Sequence, residues 1–204
     1  MLTPYKAKAF FRRGPEAVAR VFLALGFSPN GITLFGLSLG LLACLWFVKY
    51  QNPVWFGILI ISCGLFDLVD GAAARLTNRI TKFGSYLDAM CDRVYDIAAS
   101  LSAAYVSGHW ALLFLGISGA SLISYAKARA AMEVSIENTE WPDFMERMER
   151  SLGFVAGLIL WGLFPQDFWG HDLFFWVLVG INLAVYGTVI QRVLRAKRFI
   201  DLRA

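Results

Sequence analysis

Long apolar stretches separated by short polar connections dominate the sequence. Six of them approach the length of about 20 residues that a helix needs to cross a bilayer. They cover residues 32–50, 53–75, 80–107, 110–131, 152–164 and 172–190. The pattern predicts an all-α integral membrane protein with six transmembrane helices, in a single domain over residues 1–204. Within it, residues 28–204 form the six-helix bundle.

The first 27 residues differ from the rest because basic and apolar side chains alternate irregularly along them. A signal peptide would show a separate basic region, an apolar region and a cleavage site of small residues. The interleaving instead predicts an N-terminal amphipathic juxtamembrane helix that lies on the membrane surface, with a frayed tail as the alternative. We expect Gly14 and Pro15 to break or start this helix, since proline favours a first helical turn.

The composition agrees with a membrane protein, since 58% of the 204 residues are hydrophobic and 17% are charged. The three cysteines lie in apolar stretches, which indicates free, buried thiols rather than disulfides. A net charge of +4 could indicate nucleic-acid binding. Mapping the basic residues excludes that interpretation, because they mark the two sides of a membrane instead.

Of the 19 Lys and Arg residues, only Lys49 lies near one of the predicted outer turns. By the positive-inside rule, both termini are cytoplasmic and the chain is a multi-pass protein of the cell membrane. Five tryptophans cluster near the outer turns, as an aromatic belt would: Trp46, Trp55, Trp110, Trp169 and Trp176. The only histidines, His109 and His171, also lie in outer turns and are expected to be solvated.

Four carboxylates, Asp67, Asp70, Asp88 and Asp92, lie inside or at the edge of the second and third apolar stretches. A charge at membrane depth normally faces the protein interior and has a partner. Spacings of three and four positions place each pair on one helix face. Four such acids would repel one another unless a cation lies between them. Hard oxygen ligands suit Mg²⁺ or Mn²⁺, including a pair of ions that share bridging carboxylates. Scattered acids at helix ends, solvated or paired with nearby basic residues, are the alternative.

Eight positions of this region form the pattern D-x2-D-G-x2-A-R-x8-G-x3-D-x3-D. They are Asp67, Asp70, Gly71, Ala74, Arg75, Gly84, Asp88 and Asp92. The pattern resembles the defining motif of the CDP-alcohol phosphotransferase family of integral membrane enzymes. Independently of the resemblance, the forked donors of Arg75 suit a phosphate, and the two glycines allow close approach of a ligand to the backbone.

The resemblance implies that a hydroxyl attacks the phosphorus next to the lipid of a CDP-linked lipid and that CMP leaves. Asp67, Asp70 and Asp88 would bind metal, while Asp88 and Asp92 would complete a second metal position and Asp92 would act as general base. The resemblance also implies a homodimer.

The CDP moiety would be held by Asp70 and by the remaining motif positions, Gly71, Ala74, Arg75 and Gly84. Asn30 and Thr33 belong to a Pro-Asn-x-x-Thr stretch that is common near the first helix of the family. They are expected to touch the nucleotide, although Asn30 could equally be a helix cap.

Basic residues at the ends of the last three apolar stretches are candidates for binding the acceptor. They are Lys127, Arg129, Arg150 and Arg192. The segments around them (124–130, 146–150 and 191–192) resemble the branch of the family that uses inositol phosphate, the phosphatidylinositol phosphate and archaetidylinositol phosphate synthases. In that branch, equivalent cations hold the acceptor's phosphate. Here Ala131 stands where that branch often has Glu, and ordinary snorkelling of basic side chains is the alternative.

The sequence therefore predicts a transferase that joins inositol phosphate to the lipid of CDP-diacylglycerol or CDP-archaeol, with a cytosol-facing active site. One rival keeps the chemistry and changes the acceptor to glycerol phosphate, serine or inositol. A second rival is a cation transporter whose carboxylates bind the transported ion. The transporter predicts acids near the bilayer midplane, whereas here acids and basic residues gather towards one side.

Overall fold

The computed structural model describes residues 4–134 and 145–203, with side chains from 14 to 134 and from 145 to 201. These residues form helices joined by short turns, and the only β-bridge among them joins Phe168 and His171. The helices are α1 (Pro4–Ala24), α2 (Pro29–Tyr50), α3 (Pro53–Gly64), α4 (Phe66–Leu76), α5 (Lys82–Ser107), α6 (Trp110–Glu133), α7 (Arg147–Leu163) and α8 (Leu173–Arg203). The all-helical prediction is confirmed over this part of the chain.

Four of the six predicted spans are long and apolar enough to cross a membrane: α2, α3 together with α4, α6, and α8. The other two differ for identifiable reasons. Helix α5 has 26 residues but carries several charges, among them Asp92, Arg93 and Asp96. Helix α7 has 17 residues, a rise of about 25 Å against a hydrocarbon core of about 30 Å. A multi-pass membrane protein is therefore supported, and the count of six spans stays a prediction.

The second predicted span is interrupted immediately before the acidic motif. Helix α3 ends at Gly64, Leu65 forms a turn, and α4 begins at Phe66. The amide of Leu68 bonds the carbonyl of Leu65 three residues earlier, at 3.2 Å, which is a tighter spacing than that of an α-helix. The interruption makes α4 a separate segment of 11 residues that carries Asp67 and Asp70.

Local signals in the sequence set several helix ends. The Ser28 hydroxyl accepts a hydrogen bond from the amide of Gly31, and Pro29 occupies the first turn of α2. Asp172 caps α8 by accepting from the amide of Phe175 at 2.8 Å. Gly108, with φ +77°, makes the tight turn between α5 and α6 that the sequence predicts.

Helix α1 forms as predicted but runs through Gly14 and Pro15, so the expected break or start at that dipeptide is wrong. An internal proline removes one helical hydrogen bond without preventing the helix from continuing. The polar segment between α6 and α7 includes residues 135–144, which lie outside the described residues, as do residues 1–3 of the juxtamembrane segment.

The chain clusters into two compact units, and the first comprises the residues up to Gln51 together with Ile58–Ala99. Its core joins α1, α2 and α4 through side chains that are almost fully buried: Ala19, Ile32, Val69, Ala72 and Ala73. Four aromatic rings surround this core, with neighbouring centroids 5.4–6.0 Å apart: Phe22, Phe27, Phe35 and Phe66. Burial of these apolar side chains fixes α4, and with it the motif acids.

A close approach joins α2 to α5 in the same unit. A Cβ atom on Gly40 would lie 2.6 Å from the ring of Tyr95. Because no real Cβ tolerates that distance, the ring can pack here only against a glycine. Tyr95 follows Asp92 by three positions, so this contact lies one helical turn from the acid.

The second unit comprises Asn52–Gly57 and Ser100–Ala204, and in it α8 packs against α6 and α7. Glycines allow this close packing, because a Cβ on Gly119 would clash with Val185 and one on Gly157 would clash with Val177. Asn182 of α8 also donates a hydrogen bond to the carbonyl of Leu112 in α6, at 3.1 Å. Small residues and interhelical hydrogen bonds are the means by which helices associate in lipid.

The two histidines of this unit differ. His171 is exposed, as predicted, and stacks on Phe175 with ring centroids 3.9 Å apart. The prediction of a solvated His109 is wrong, because its Nε2 lies 3.0 Å from both carboxylate oxygens of Asp172 and its side chain is 17% exposed. Sequence reasoning missed this pair because 63 residues separate its members.

Candidate metal and nucleotide site

Three of the four motif acids converge in the first unit. Carboxylate oxygens of Asp67, Asp88 and Asp92 all lie within 4.8 Å of one another. Asp67 comes from the first turn of α4, while Asp88 and Asp92 come from successive turns of α5, as their spacing predicts. Asp67 is exposed and the other two are half-buried, so the cluster is open to a ligand.

The cluster has the donor set of a site for a hard divalent cation. It is the one group of three or more His, Cys, Asp or Glu ligands with such spacing among the described residues. Carboxylates at this separation repel one another, and a cation with oxygen preference relieves that repulsion. The residues present therefore fit Mg²⁺ or Mn²⁺.

Asp70 has a different environment from the other three acids. It is 8% exposed, and its Oδ2 accepts a hydrogen bond from the hydroxyl of Thr33 at 2.6 Å. Electrostatic interaction also couples Asp70 to Asp88 and Asp67. A hydroxyl of the neighbouring α2 thus holds the carboxylate of Asp70, which lies one helical turn along α4 from Asp67.

Thr33 makes a contact with the acidic motif that sequence reasoning missed. The sequence predicts that Thr33 touches the nucleotide, whereas its hydroxyl donates to Asp70 and also lies 3.3 Å from the carbonyl of Pro29. The bond joins residues 37 positions apart, so no local spacing reveals it. The only signal in the sequence is a hydroxyl near the start of the helix that precedes the acidic motif.

Asn30 lies next to Gly84, as a shared nucleotide pocket would require. A Cβ on Gly84 would meet the Asn30 amide oxygen at 3.2 Å and the Thr81 hydroxyl at 3.1 Å. The alternative that Asn30 caps α2 is wrong, because Ser28 takes that position. The Thr81 hydroxyl accepts from the amide of Gly84 at 2.9 Å and so holds the first turn of α5.

Arg75 folds back along α4 towards Gly71. A Cβ on Gly71 would lie 3.4 Å from a guanidinium nitrogen of Arg75, an ordinary contact distance, so the arginine side chain lies over this glycine. Arg75 itself is exposed, and Ala74 beside it is half-buried. Arg75 and Ala74 lie on α4, the helix that also carries Asp67 and Asp70.

The four predicted acceptor residues all lie in the second unit, and each has a distinct environment. Arg192 of α8 is buried and donates to the carbonyl of Ile123, one helical turn before the half-buried Lys127 of α6. Arg129 is exposed and pairs with Glu133 at 2.7 Å. Arg150, near the start of α7, donates to the carbonyl of Met145 at 2.9 Å.

Comparison with known proteins identifies relatives over nearly the whole chain. The sequence profile of the CDP-alcohol phosphatidyltransferase family matches residues 27–189. Archaetidylinositol phosphate synthase of Pyrococcus horikoshii is 32% identical, over 92% of this chain and 93% of that protein. Phosphatidylinositol phosphate synthase of Mycobacteroides abscessus is 33% identical, over 89% of this chain and 83% of that protein.

Solved structures of a phosphatidylinositol phosphate synthase also resemble this chain. The phosphatidylinositol phosphate synthase of Mycobacterium tuberculosis with CDP-DAG bound superposes with a TM-score of 0.78 at 25% identity, covering 89% of this chain and 92% of that one. The same enzyme in complex with manganese and citrate also gives a TM-score of 0.78, covering 89% of this chain and 88% of that one. On these matches and on the complete eight-position motif, the chain belongs to the CDP-alcohol phosphatidyltransferase family.

Proposed function

We propose that this enzyme transfers the phosphatidyl or archaetidyl group of a CDP-linked lipid to a hydroxyl of inositol phosphate and releases CMP. The convergence of three motif acids within 4.8 Å carries the proposal. Relatives named for inositol phosphate lipids, at 32% and 33% identity, support the acceptor. The cation-transporter alternative loses its support, because the family consists of transferases.

The reaction replaces one P–O bond with another. The acceptor oxygen attacks the phosphorus next to the lipid, the bond from that phosphorus to CMP breaks, and the hydroxyl proton must go to a base. We assign that base to Asp92, whose carboxylate belongs to the acidic cluster. A positioned carboxylate contributes about 10²–10⁴-fold in such proton transfers.

Asp67, Asp70, Asp88 and Asp92 would hold the divalent cations, as two ions in our proposal, with Mg²⁺ or Mn²⁺ as the metal. When bound, such ions neutralise the diphosphate and stabilise the negative charge that develops on it. The nearby side chains would hold the CDP moiety: Asn30, Thr33, Asp70, Gly71, Ala74, Arg75 and Gly84. The contacts of Asn30 with Gly84 and of Arg75 with Gly71 support this grouping.

The acceptor's phosphate would be bound by Lys127, Arg129, Arg150 and Arg192. Guanidinium and ammonium groups favour a dianionic phosphate over a neutral alcohol. Arg192 is the buried member of the four, and its guanidinium donates to the carbonyl of Ile123, one helical turn before Lys127.

The cellular arrangement extends the same proposal. The chain would act as one catalytic domain over residues 1–204 and as a homodimer in the cell membrane. Both termini and the active site would face the cytoplasm, on the evidence of the basic residues.

CMP release by the purified protein tests the proposal. The assay uses CDP-diacylglycerol or CDP-archaeol with Mg²⁺ and compares inositol phosphate with glycerol phosphate. We expect release with inositol phosphate alone, and its loss in Asp92→Asn. Turnover with glycerol phosphate would preserve the catalytic assignment and overturn the acceptor, whereas no release with any alcohol would overturn the function.

A further inference from the structure

The turn between α7 and α8 contains a two-residue β-hairpin with an unusual tip. Phe168 and His171 exchange two backbone hydrogen bonds, of 2.7 and 3.2 Å. The two central residues both have positive φ, +51° for Trp169 and +80° for Gly170. This is the backbone of a type I′ turn, which favours Asn or Gly at its first central position. Here that position holds a tryptophan.

A bulky side chain at positive φ is strained, and such strain persists where the surrounding structure enforces it. The Trp169 side chain gains little burial in return, since the residue is 91% exposed. Its ring contacts the ring of Trp176 edge-to-face, with 5.6 Å between the two centroids. The backbone therefore exposes the indole of Trp169 at the surface instead of packing it against the protein.

The base of the hairpin is fixed to the start of α8. The indole nitrogen of Trp176 donates to the carbonyl of Phe168 at 2.9 Å, and the His171 ring stacks on Phe175. Asp172 follows directly, caps α8 and pairs with His109 at the start of α6. The tip consequently keeps a constant position relative to the two helices.

The position along the chain identifies what the exposed indole meets. Helix α8 is one of the four helices able to cross a membrane, and it begins two residues after the hairpin ends. The apolar residues of α8 begin at its first position, Leu173, whereas its basic residues lie from Arg192 onwards, so we expect the membrane boundary close to the start of the helix. Tryptophan favours that interfacial layer, because its ring is apolar and its N–H is polar.

We propose that residues 168–171 form a rigid anchor that inserts the Trp169 indole into the headgroup layer of the bilayer and fixes the depth of α8. The segment 165–172 contains two acids and no Lys or Arg. Binding therefore depends on the amphipathic ring and not on attraction to anionic lipids, so the partner is the interface of a zwitterionic bilayer as much as of an anionic one.

Tryptophan fluorescence in phosphatidylcholine vesicles tests the anchor. The wild type and Trp169→Gly are reconstituted with lipids brominated either near the headgroup or deep in the acyl chain. Glycine suits the positive φ, so the hairpin keeps its backbone, and the difference spectrum isolates Trp169 from the other six tryptophans. The same difference spectrum is measured with Trp169→Asn, because asparagine also tolerates this conformation. Circular dichroism verifies the helix content of both variants.

We expect the difference spectrum to be blue-shifted, quenched most by the shallow bromines and protected from aqueous iodide. Added salt and anionic lipid should leave the quenching unchanged. A difference spectrum like that of tryptophan in water, quenched by iodide and unaffected by either brominated lipid, would overturn the anchor. Quenching that appears only with anionic lipid at low salt would overturn the proposed basis of recognition.

Discussion

The hydrogen bond from Thr33 to Asp70 provides a direct test of how the metal site is built. The change Thr33→Val keeps the branched shape of the side chain and removes the hydroxyl that lies 2.6 Å from the carboxylate. Asp70 is 8% exposed, so water does not readily replace the lost donor. The carboxylate of this proposed metal ligand then loses the contact that fixes its orientation.

The magnitude follows from the charge of the acceptor. A hydrogen bond to a charged group contributes about 1.5–3 kcal/mol, and a factor of ten in affinity corresponds to about 1.4 kcal/mol. Loss of an outer contact to a metal ligand typically lowers affinity or activity by about 10–100-fold. We therefore expect Mn²⁺ to bind Thr33→Val about 10–100-fold more weakly than the wild type.

The assay is a titration of purified protein with Mn²⁺, followed by the electron paramagnetic resonance signal of the free ion and paralleled by CMP release. Thr33→Ser retains the hydroxyl and is expected to stay within about threefold of the wild type. Unchanged Mn²⁺ affinity in Thr33→Val with a raised KM for the CDP-lipid would refute this reasoning and leave Thr33 as a nucleotide contact alone. A loss in Thr33→Ser, which lacks the methyl group, without a loss in Thr33→Val, which keeps it, would show that the methyl packing matters and not the hydroxyl.

Three further changes test other parts of the molecule. Gly40→Ala places a Cβ against the ring of Tyr95, so we expect the free energy of unfolding to fall by about 1–3 kcal/mol, with a lower melting temperature by calorimetry. Arg192→Ala should lower kcat/KM for inositol phosphate by about 10-fold or more and leave the KM for the CDP-lipid unchanged; an unchanged acceptor dependence would remove Arg192 from the pocket. His109→Ala leaves Asp172 without its partner and should cost about 1–3 kcal/mol of stability with unaltered Mn²⁺ affinity.

Features governed by local spacing could be predicted from the sequence. Each apolar stretch corresponds to helical structure, although the second divides into α3 and α4 and the helix of the fifth, α7, begins at Arg147, five residues before its stretch. The i,i+4 spacing placed Asp88 and Asp92 on one face of α5, where they meet Asp67. Helical periodicity determines which acids share a face, and the repulsion between like charges indicates a cation between them.

Features that depend on distant pairs could not be predicted. The partner of Asp70 lies 37 residues away, and that of His109 lies 63 residues away. The interruption at Leu65 falls inside a continuous apolar stretch, where hydropathy alone gives no boundary. The apolar pattern also predicted α5 as a span like the others, although its charged residues reduce its resemblance to a lipid-facing helix.

The packing of α1 against α4 places part of the support of the acidic motif far outside the motif itself. Helix α4 has 11 residues, and its buried face packs against neighbours such as the fully buried Ala19 of α1. A chain shortened by α1 would keep every motif residue and lose one wall of the support beneath Asp67 and Asp70. The juxtamembrane helix thus forms part of the support of Asp67 and Asp70, although it contributes no residue to the motif.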